Sequence, residues 1–244
     1  PTGCGKTLGF EYYACMTGRP FLRIDHNREL DKASVFGRGE LTTDEHGTST
    51  GFVEGVLPRT MRLPTLTVLD ELTKATGPAN IIYQRLLDRN ELSLPEMKEA
   101  GLDVLTPDPH WIVAASDNTK GNGDDMDKYS ASNVQDASFI NRWDCLIEQD
   151  YLSQELEEEL IERLSPVMPH RARRSLAQLS NLIHIGFKSG ELTTAFSPRN
   201  LTAICKYFNA GLPLAKAVAI NYTSRVAESE LSDITESLRV VGLD

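Results

Sequence analysis

The chain opens with Pro1-Thr2-Gly3-Cys4-Gly5-Lys6-Thr7, and these seven residues restrict the possible folds more than any other stretch. Their end matches the phosphate-binding pattern G-x-x-x-x-G-K-[ST], a glycine-rich turn that leads into a helix. Gly3 and Gly5 free the backbone to turn its N–H groups toward phosphate oxygens. A helix beginning near Lys6 adds the positive end of its dipole. In this pattern Lys6 reaches the β- and γ-phosphates and the Thr7 hydroxyl ligates Mg²⁺. The opening glycine would sit immediately before Pro1, so the chain is expected to begin inside the motif, after a strand that leads into it. Taken alone, the heptapeptide leaves open a glycine-rich turn that happens to precede Lys-Thr.

Three further features narrow the reading. The apolar run Thr65–Leu69 is closed by Asp70 and Glu71. A carboxylate at the C-terminal end of a parallel strand lies where such sheets bind ligands. There Asp70 holds the Mg²⁺ shell, and Glu71 orients and polarises the attacking water. A solvated acidic strand end is the alternative. Asn118 follows the run Trp111–Ser116, and a neutral amide there can bond a γ-phosphate or the attacking water without adding charge. Arg142 (in FINRWD) and Arg199 (in SPRN) supply donors for charge spread over a transferring phosphoryl group. For either arginine the alternative is a surface salt bridge. Asp117, Asp124 and Asp125 are read as solubilising loop residues rather than metal ligands.

The pattern of elements agrees with an α/β domain followed by helices. Residues 7–17 are predicted to be a helix with Leu8, Tyr12, Cys15 and Met16 on one face and Gly18 as its stop. PFLRID, TLTVLDE and HWIVAASDN are predicted strands, the last two buried, and CLIEQDYL is a candidate fourth. The Gly- and Thr-rich stretch 37–56 suggests an inserted β-hairpin. Residues 78–90 should be helical, with Ile81, Ile82, Leu86 and Leu87 apolar. The polar stretch 117–136 reads as a mobile loop. After Leu152 come five helical patterns: 154–164, 172–189, 198–209, 213–227 and 229–240. Ser197-Pro198 is a helix start, with serine as cap and proline in the first turn.

Composition excludes several classes. With 244 residues and 40% hydrophobic content the chain can bury a sizeable core. It has no run of eighteen apolar residues, so no membrane span is expected. A net charge of -10 argues against a nucleic-acid partner. The four cysteines, Cys4, Cys15, Cys145 and Cys205, form no CxxC pair, which suits a reduced, cytoplasmic compartment. The five scattered histidines assign no metal site.

Phosphate loop, Asp-Glu, strand-end Asn, Arg-Trp and Ser-Pro-Arg, in that order, resemble the AAA+ ATPases of the MoxR type. The likeness is strongest to the ATPase subunit of aerobic cobaltochelatase, the CobS-like group. It covers nearly the whole chain, through PTGCGKT, FGRGEL, FVEGVLP, VLDE, Gln84–Leu87, AASDNT, INRWD, YLS and FSPRN.

The resemblance implies a three-layer α/β/α sandwich with a parallel sheet over residues 1–152, then a small helical lid over 153–244. It implies ATP and Mg²⁺ as cofactors. Thr2, Gly3, Cys4, Gly5, Lys6 and Thr7 form the nucleotide loop, with Asp70 and Glu71 as the acidic pair. Asn118 matches sensor 1, Arg142 the arginine finger and Arg199 sensor 2. Such proteins form ring hexamers with ATP at each subunit interface, so Arg142 would act on a neighbour's ATP. In the CobS-like group, partners are a von Willebrand A-type subunit and a large chelatase subunit, and hydrolysis drives cobalt insertion in cobalamin biosynthesis. The chain departs from the pattern in two places. Asn141 stands where the group shows Asp, and residues 115–119 read Ala-Ser-Asp-Asn-Thr. Alternative readings are a MoxR-like chaperone, a P-loop small-molecule kinase and a non-catalytic nucleotide-binding scaffold.

Overall fold

The computed structural model describes residues 3–27, 30–44, 47–100, 102, 104–118 and 137–243. The chain divides into two compact units: Lys6–Ile147, and Glu148–Asp244 together with Pro1–Gly5.

The unit 6–147 begins with helix α1 (Lys6–Thr17) and strand β1 (Phe21–Asp25). The short helix α2 (Lys32–Phe36) leads into the antiparallel strands β2 (Gly37–Asp44) and β3 (Gly47–Glu54). Helix α3 (Val56–Met61), strand β4 (Leu66–Asp70), helices α4 (Gly77–Arg89) and α5 (Pro95–Glu99), strand β5 (Ile112–Ser116) and the single turn α6 (Ala137–Ile140) follow. Strands β1, β4 and β5 form one parallel sheet with β4 in the middle.

The pleat sends alternate side chains of this sheet into two different layers. Leu66 and Val68 of β4, with Phe21, Ile112 and Ala114, pack on Ala14 and Phe10 of α1. Leu69, Ile24, Leu22, Val113 and Ala115 face the other way, into a core shared with Val35, Phe36, Leu57, Met61, Tyr83 and Leu86. All five residues of β4 are buried, because the strand is paired on both edges and covered on both faces. This sandwich is the three-layer parallel architecture expected for the N-terminal part.

The register brings three strand ends level, with Asp25 beside Asp70 and Asp70 beside Ser116. Backbone polar groups must be paired where water is excluded. A parallel ladder satisfies them and, in doing so, fixes which side chains emerge together at its C-terminal edge.

The other unit carries the remaining helices, α7 (Gln154–Leu164), α8 (His170–Ser189), α9 (Pro198–Asn209), α10 (Leu214–Asn221) and α11 (Leu231–Val241). Its core is built from Ile161, Leu176, Leu179, Ile183, Leu201, Ile204, Val218 and Ile234, all fully buried. Burying each such side chain is worth about 1.5–3 kcal/mol. Ser153 caps α7, its hydroxyl accepting from Leu156 N–H. At α9, Asn200 Oδ1 accepts from Ser197 N–H at 2.8 Å, and Asn200 Nδ2 donates to Asn221 of α10 at 3.1 Å. No helix among the described residues is long and apolar enough to cross a membrane.

Several sequence expectations need correction. Residues 145–152 form no strand; Leu146 and Ile147 are 70% and 83% exposed, with no edge to pair with and no face to bury. Strand β5 is only half-buried, since it pairs with β4 alone. Helix α1 forms as expected, but Leu8, Tyr12, Cys15 and Met16 are exposed and only Ala14 is buried. In α4 the buried residues are Ala79, Tyr83 and Leu86, while Ile81 is exposed. The helix expected over 213–227 ends at Asn221, where a 3₁₀ turn takes over. Most of the loop expected at 117–136, with Asp124 and Asp125, lies outside the described residues, as does Thr2.

Candidate functional site

Gly3 and Gly5 adopt φ values of +72° and +91°, a left-handed region that side chains disfavour. Helix α1 starts at Lys6, which leaves its first N–H groups without intrahelical partners. A Cβ on Gly3 would lie 2.6 Å from Ser197 Cβ, which leaves no room for any other residue there. Cys4 is buried. Its carbonyl accepts from Gln149 Nε2 at 2.8 Å, while its thiol lies 3.7 Å from the Gln149 carbonyl. Gln149 and Ser197 therefore fix the shape of the turn.

Within the sheet-bearing unit, four of the residues singled out from sequence meet. Thr7 Oγ1 donates to Asp70 Oδ2 at 3.0 Å, and Lys6 Nζ donates to Asn118 Oδ1 at 2.8 Å. These pairs join the start of α1 to the ends of β4 and β5, across 63 and 112 residues of sequence. Asp70 is 6% exposed. Its Oδ2 also receives Arg23 Nε from β1 at 2.8 Å, and its Oδ1 receives Glu71 N–H at 3.1 Å. A carboxylate buried without hydrogen-bond donors would cost free energy, and these three contacts offset that cost.

Glu71 turns sharply out of β4 with φ 52° and ψ 43°, a left-handed conformation rare outside glycine. The turn lifts its carboxylate to the surface, where Lys74 Nζ holds it at 2.6 Å. Asp117 stabilises that turn: its Oδ2 accepts from Thr73 N–H at 2.7 Å and its Oδ1 from Asn118 N–H at 2.7 Å. Asp117 is thus a structural brace rather than a solubilising loop residue.

Beneath the site lies a polar layer that sequence reasoning missed. His26 is 2% exposed, and both its backbone N–H and its Nδ1 point at the Asp70 carbonyl at 3.0 Å. A carbonyl cannot donate, so Nδ1 carries the proton and Nε2 accepts from Tyr83 OH at 2.8 Å. Burial lowers the imidazole pKa, outweighing the Asp70 carbonyl, and so favours this neutral form. Arg23 was legible only as a cation after two apolar residues of β1. Gln149 and His26 gave no local signal at all.

Arg142 follows α6, with Nε donating to Asp88 Oδ1 at 2.8 Å and Nη1 to the Ser138 carbonyl at 2.5 Å. Arg199 belongs to the helical unit and is exposed in the first turn of α9.

Thr7 and Asp70 are the residues that could hold a divalent cation. A hydroxyl and a carboxylate oxygen 3.0 Å apart offer hard oxygen donors of the kind Mg²⁺ takes. The Lys6 ammonium, adjacent to Thr7 in sequence, is a cationic donor of the kind that binds phosphate.

Comparison with known proteins shows the family. Residues 1–129 match the family described as AAA domain (dynein-related subfamily). The chain is 35% identical over 164 residues to Midasin of Dictyostelium discoideum, covering 67% of this chain and 3% of Midasin. It is 21% identical over 239 residues to the aerobic cobaltochelatase subunit CobS of Sinorhizobium sp., covering 96% of this chain and 71% of that protein. The fold matches a point mutant of RuvB from Thermotoga maritima with a TM-score of 0.54 at 11% identity, covering 100% of this chain and 61% of that one. The chain thus spans only part of each of these proteins. With a Thr-Asp pair and a Lys-Asn pair at the ends of a parallel sheet, and a family match over its first 129 residues, this chain belongs to the AAA domain (dynein-related subfamily), a MoxR-type branch of the AAA+ ATPases.

Proposed function

We propose that this chain is the ATP-hydrolysing part of a ring-forming motor that drives a partner complex. The observation that carries the proposal is the Thr7–Asp70 contact beside the Lys6–Asn118 contact. Lys6 and the loop amides hold the phosphates of ATP, with Thr2, Gly3, Cys4 and Gly5 shaping the loop. Thr7 and Asp70 hold Mg²⁺, which supplies charge neutralisation between the phosphates. Glu71 polarises the attacking water, once freed from Lys74. Asn118 orients that water or the γ-phosphate. Arg142 acts on the ATP of a neighbouring subunit, and Arg199 on that of its own. The division expected from sequence, 1–152 as ATPase core and 153–244 as lid, belongs to the same proposal, as do a hexameric ring and a cytoplasmic location.

The partner we favour is of the cobaltochelatase kind, with a von Willebrand A-type subunit and a large chelatase subunit. Its support is the similarity to the CobS protein across 96% of this chain. The higher identity to Midasin, 35%, favours a second reading, a MoxR-like chaperone working on a different assembly.

The test is ATP turnover by the full-length polypeptide with Mg²⁺. Glu71→Gln should keep ATP binding and lower kcat by roughly 10²-fold or more, the scale of a lost general base. Undiminished hydrolysis in that variant would overturn the assignment. Pull-down with a von Willebrand A-type partner and with other candidate assemblies separates the two partner readings.

A further inference from the structure

Arg142 does not project freely from its turn. Its Nε is held by Asp88 Oδ1 at 2.8 Å and its Nη1 by the Ser138 carbonyl at 2.5 Å. Asp88 lies in the last turn of α4, and that helix is anchored in the core through Ala79, Tyr83 and Leu86. Phe139, three residues before Arg142, is 2% exposed in the same core. One edge of the guanidinium is therefore tied to a rigid helix. Among the described residues Nη2 makes no hydrogen bond.

Asp88 also lines an open recess of about 490 Å³ together with Arg85, Arg89, Lys98 and Glu91. On this cation-rich face Asp88 is the acid that engages Arg142. The side chains of Asp88 and Arg142 are 46% and 27% exposed, so their ion pair contributes little to stability. Its consequence is geometric. An arginine loses much rotamer freedom when held, and a catalytic group displaced by about 1 Å can cost 10²-fold in rate.

We propose that Asp88 is a positioning residue: it aims Arg142 so that Nη2 and the free N–H of Nη1 reach the nucleotide of a neighbouring subunit. This rests on the reading of Arg142 as a residue that acts between subunits. Asp88 itself touches no substrate and serves the neighbour's site rather than its own.

The experiment measures ATP hydrolysis by full-length rings, homogeneous or mixed from two variants. Asp88→Ala should lower kcat by about 10- to 10²-fold with little change in KM, and Asp88→Glu should recover part of the loss. Mixing Asp88→Ala subunits with Glu71→Gln subunits should restore hydrolysis, because the former keep an intact site and the latter a well-aimed arginine. The double variant Asp88→Ala/Arg142→Ala should be no slower than Arg142→Ala alone. Three results would overturn the proposal: wild-type turnover in Asp88→Ala, additivity in the double variant, or failure of mixing to rescue Asp88→Ala while it rescues Arg142→Ala. If mixing fails to rescue Arg142→Ala itself, with rings intact, the inter-subunit reading fails first and the role of Asp88 falls with it. Asp88→Asn, which keeps the shape and removes the charge, shows whether a loss reflects aim or misfolding; a circular-dichroism spectrum and melting curve like wild type accompany the former.

Discussion

Lys6 Nζ donates to Asn118 Oδ1 at 2.8 Å, so the cation proposed to bind phosphate is held by a neutral amide. A neutral acceptor can release the ammonium when a more strongly charged ligand arrives. Asn118→Asp should therefore replace a weak hold with an ion pair and set a second negative charge beside the γ-phosphate. ATP affinity should fall by at least about 10-fold, equivalent to about 1.4 kcal/mol. Titration with a fluorescent ATP analogue checks this, and unchanged affinity would count against Lys6 as the phosphate ligand.

Glu71 occupies a left-handed conformation that costs a non-glycine residue about 1–2 kcal/mol. Glu71→Gly should thus melt no lower than Glu71→Gln, although both lose hydrolysis. Thermal denaturation of the two variants side by side tests this. A clearly lower melting temperature for the glycine variant would show that the Lys74 contact outweighs the backbone strain.

Gly3 is confined twice, by φ +72° and by Ser197 Cβ at 2.6 Å from the position of its missing Cβ. Gly3→Ala should cost about 1–3 kcal/mol of stability through overpacking. Ser197→Gly removes the clashing atom at a cap position where glycine costs only a few tenths of a kcal/mol. The double variant should regain part of the loss, and the coupling can be read from a double-mutant cycle in urea. Simple additivity would contradict the close approach.

Glu157 of α7 is fully buried in the helical unit, beside Ser180 and His184 of α8. Burial pushes its carboxyl up from 4.5 to about 7, against a smaller lowering by the Ser180 hydroxyl. A raised carboxyl pKa means the folded chain binds the extra proton, so stability falls as pH rises from about 4.5 to about 7. His184 acts with the opposite sign: burial lowers its pKa below 6.5, so its cost appears as pH falls below that value. Comparing Glu157→Gln with wild type isolates the carboxyl. The variant should melt several degrees higher at pH 8, and the gap should close by pH 5. A gap that stays constant with pH would show that Glu157 does not titrate in this range.

Much of the site was legible locally. The glycine turn before Lys6-Thr7 and the carboxylates closing β4 are short patterns whose chemistry depends on backbone freedom and strand polarity. The alternation of strands and helices, and the switch to helices alone after residue 152, likewise follow from periodicity. The helix-start signal at Ser197-Pro198 was correct to the residue.

Other features depended on neighbours remote in the chain. Periodicity marked Leu8, Tyr12 and Met16 as one apolar face of α1, yet the sheet takes Ala14 and leaves those three exposed. The stretch 145–152 was a candidate strand but pairs with no edge among the described residues. Arg23, His26, Gln149 and Asp88 act on Asp70, Cys4 and Arg142 from 47, 44, 145 and 54 residues away. The sequence by itself determined which residues could bind phosphate and a divalent cation, because that capacity resides in each side chain and its adjacent backbone. Only the tertiary structure decided that Thr7 meets Asp70, that Lys6 meets Asn118 and that Asp88 holds Arg142. Those pairings depend on the parallel register that sets the strand ends level and on the cores that fix α1 and α4 against them.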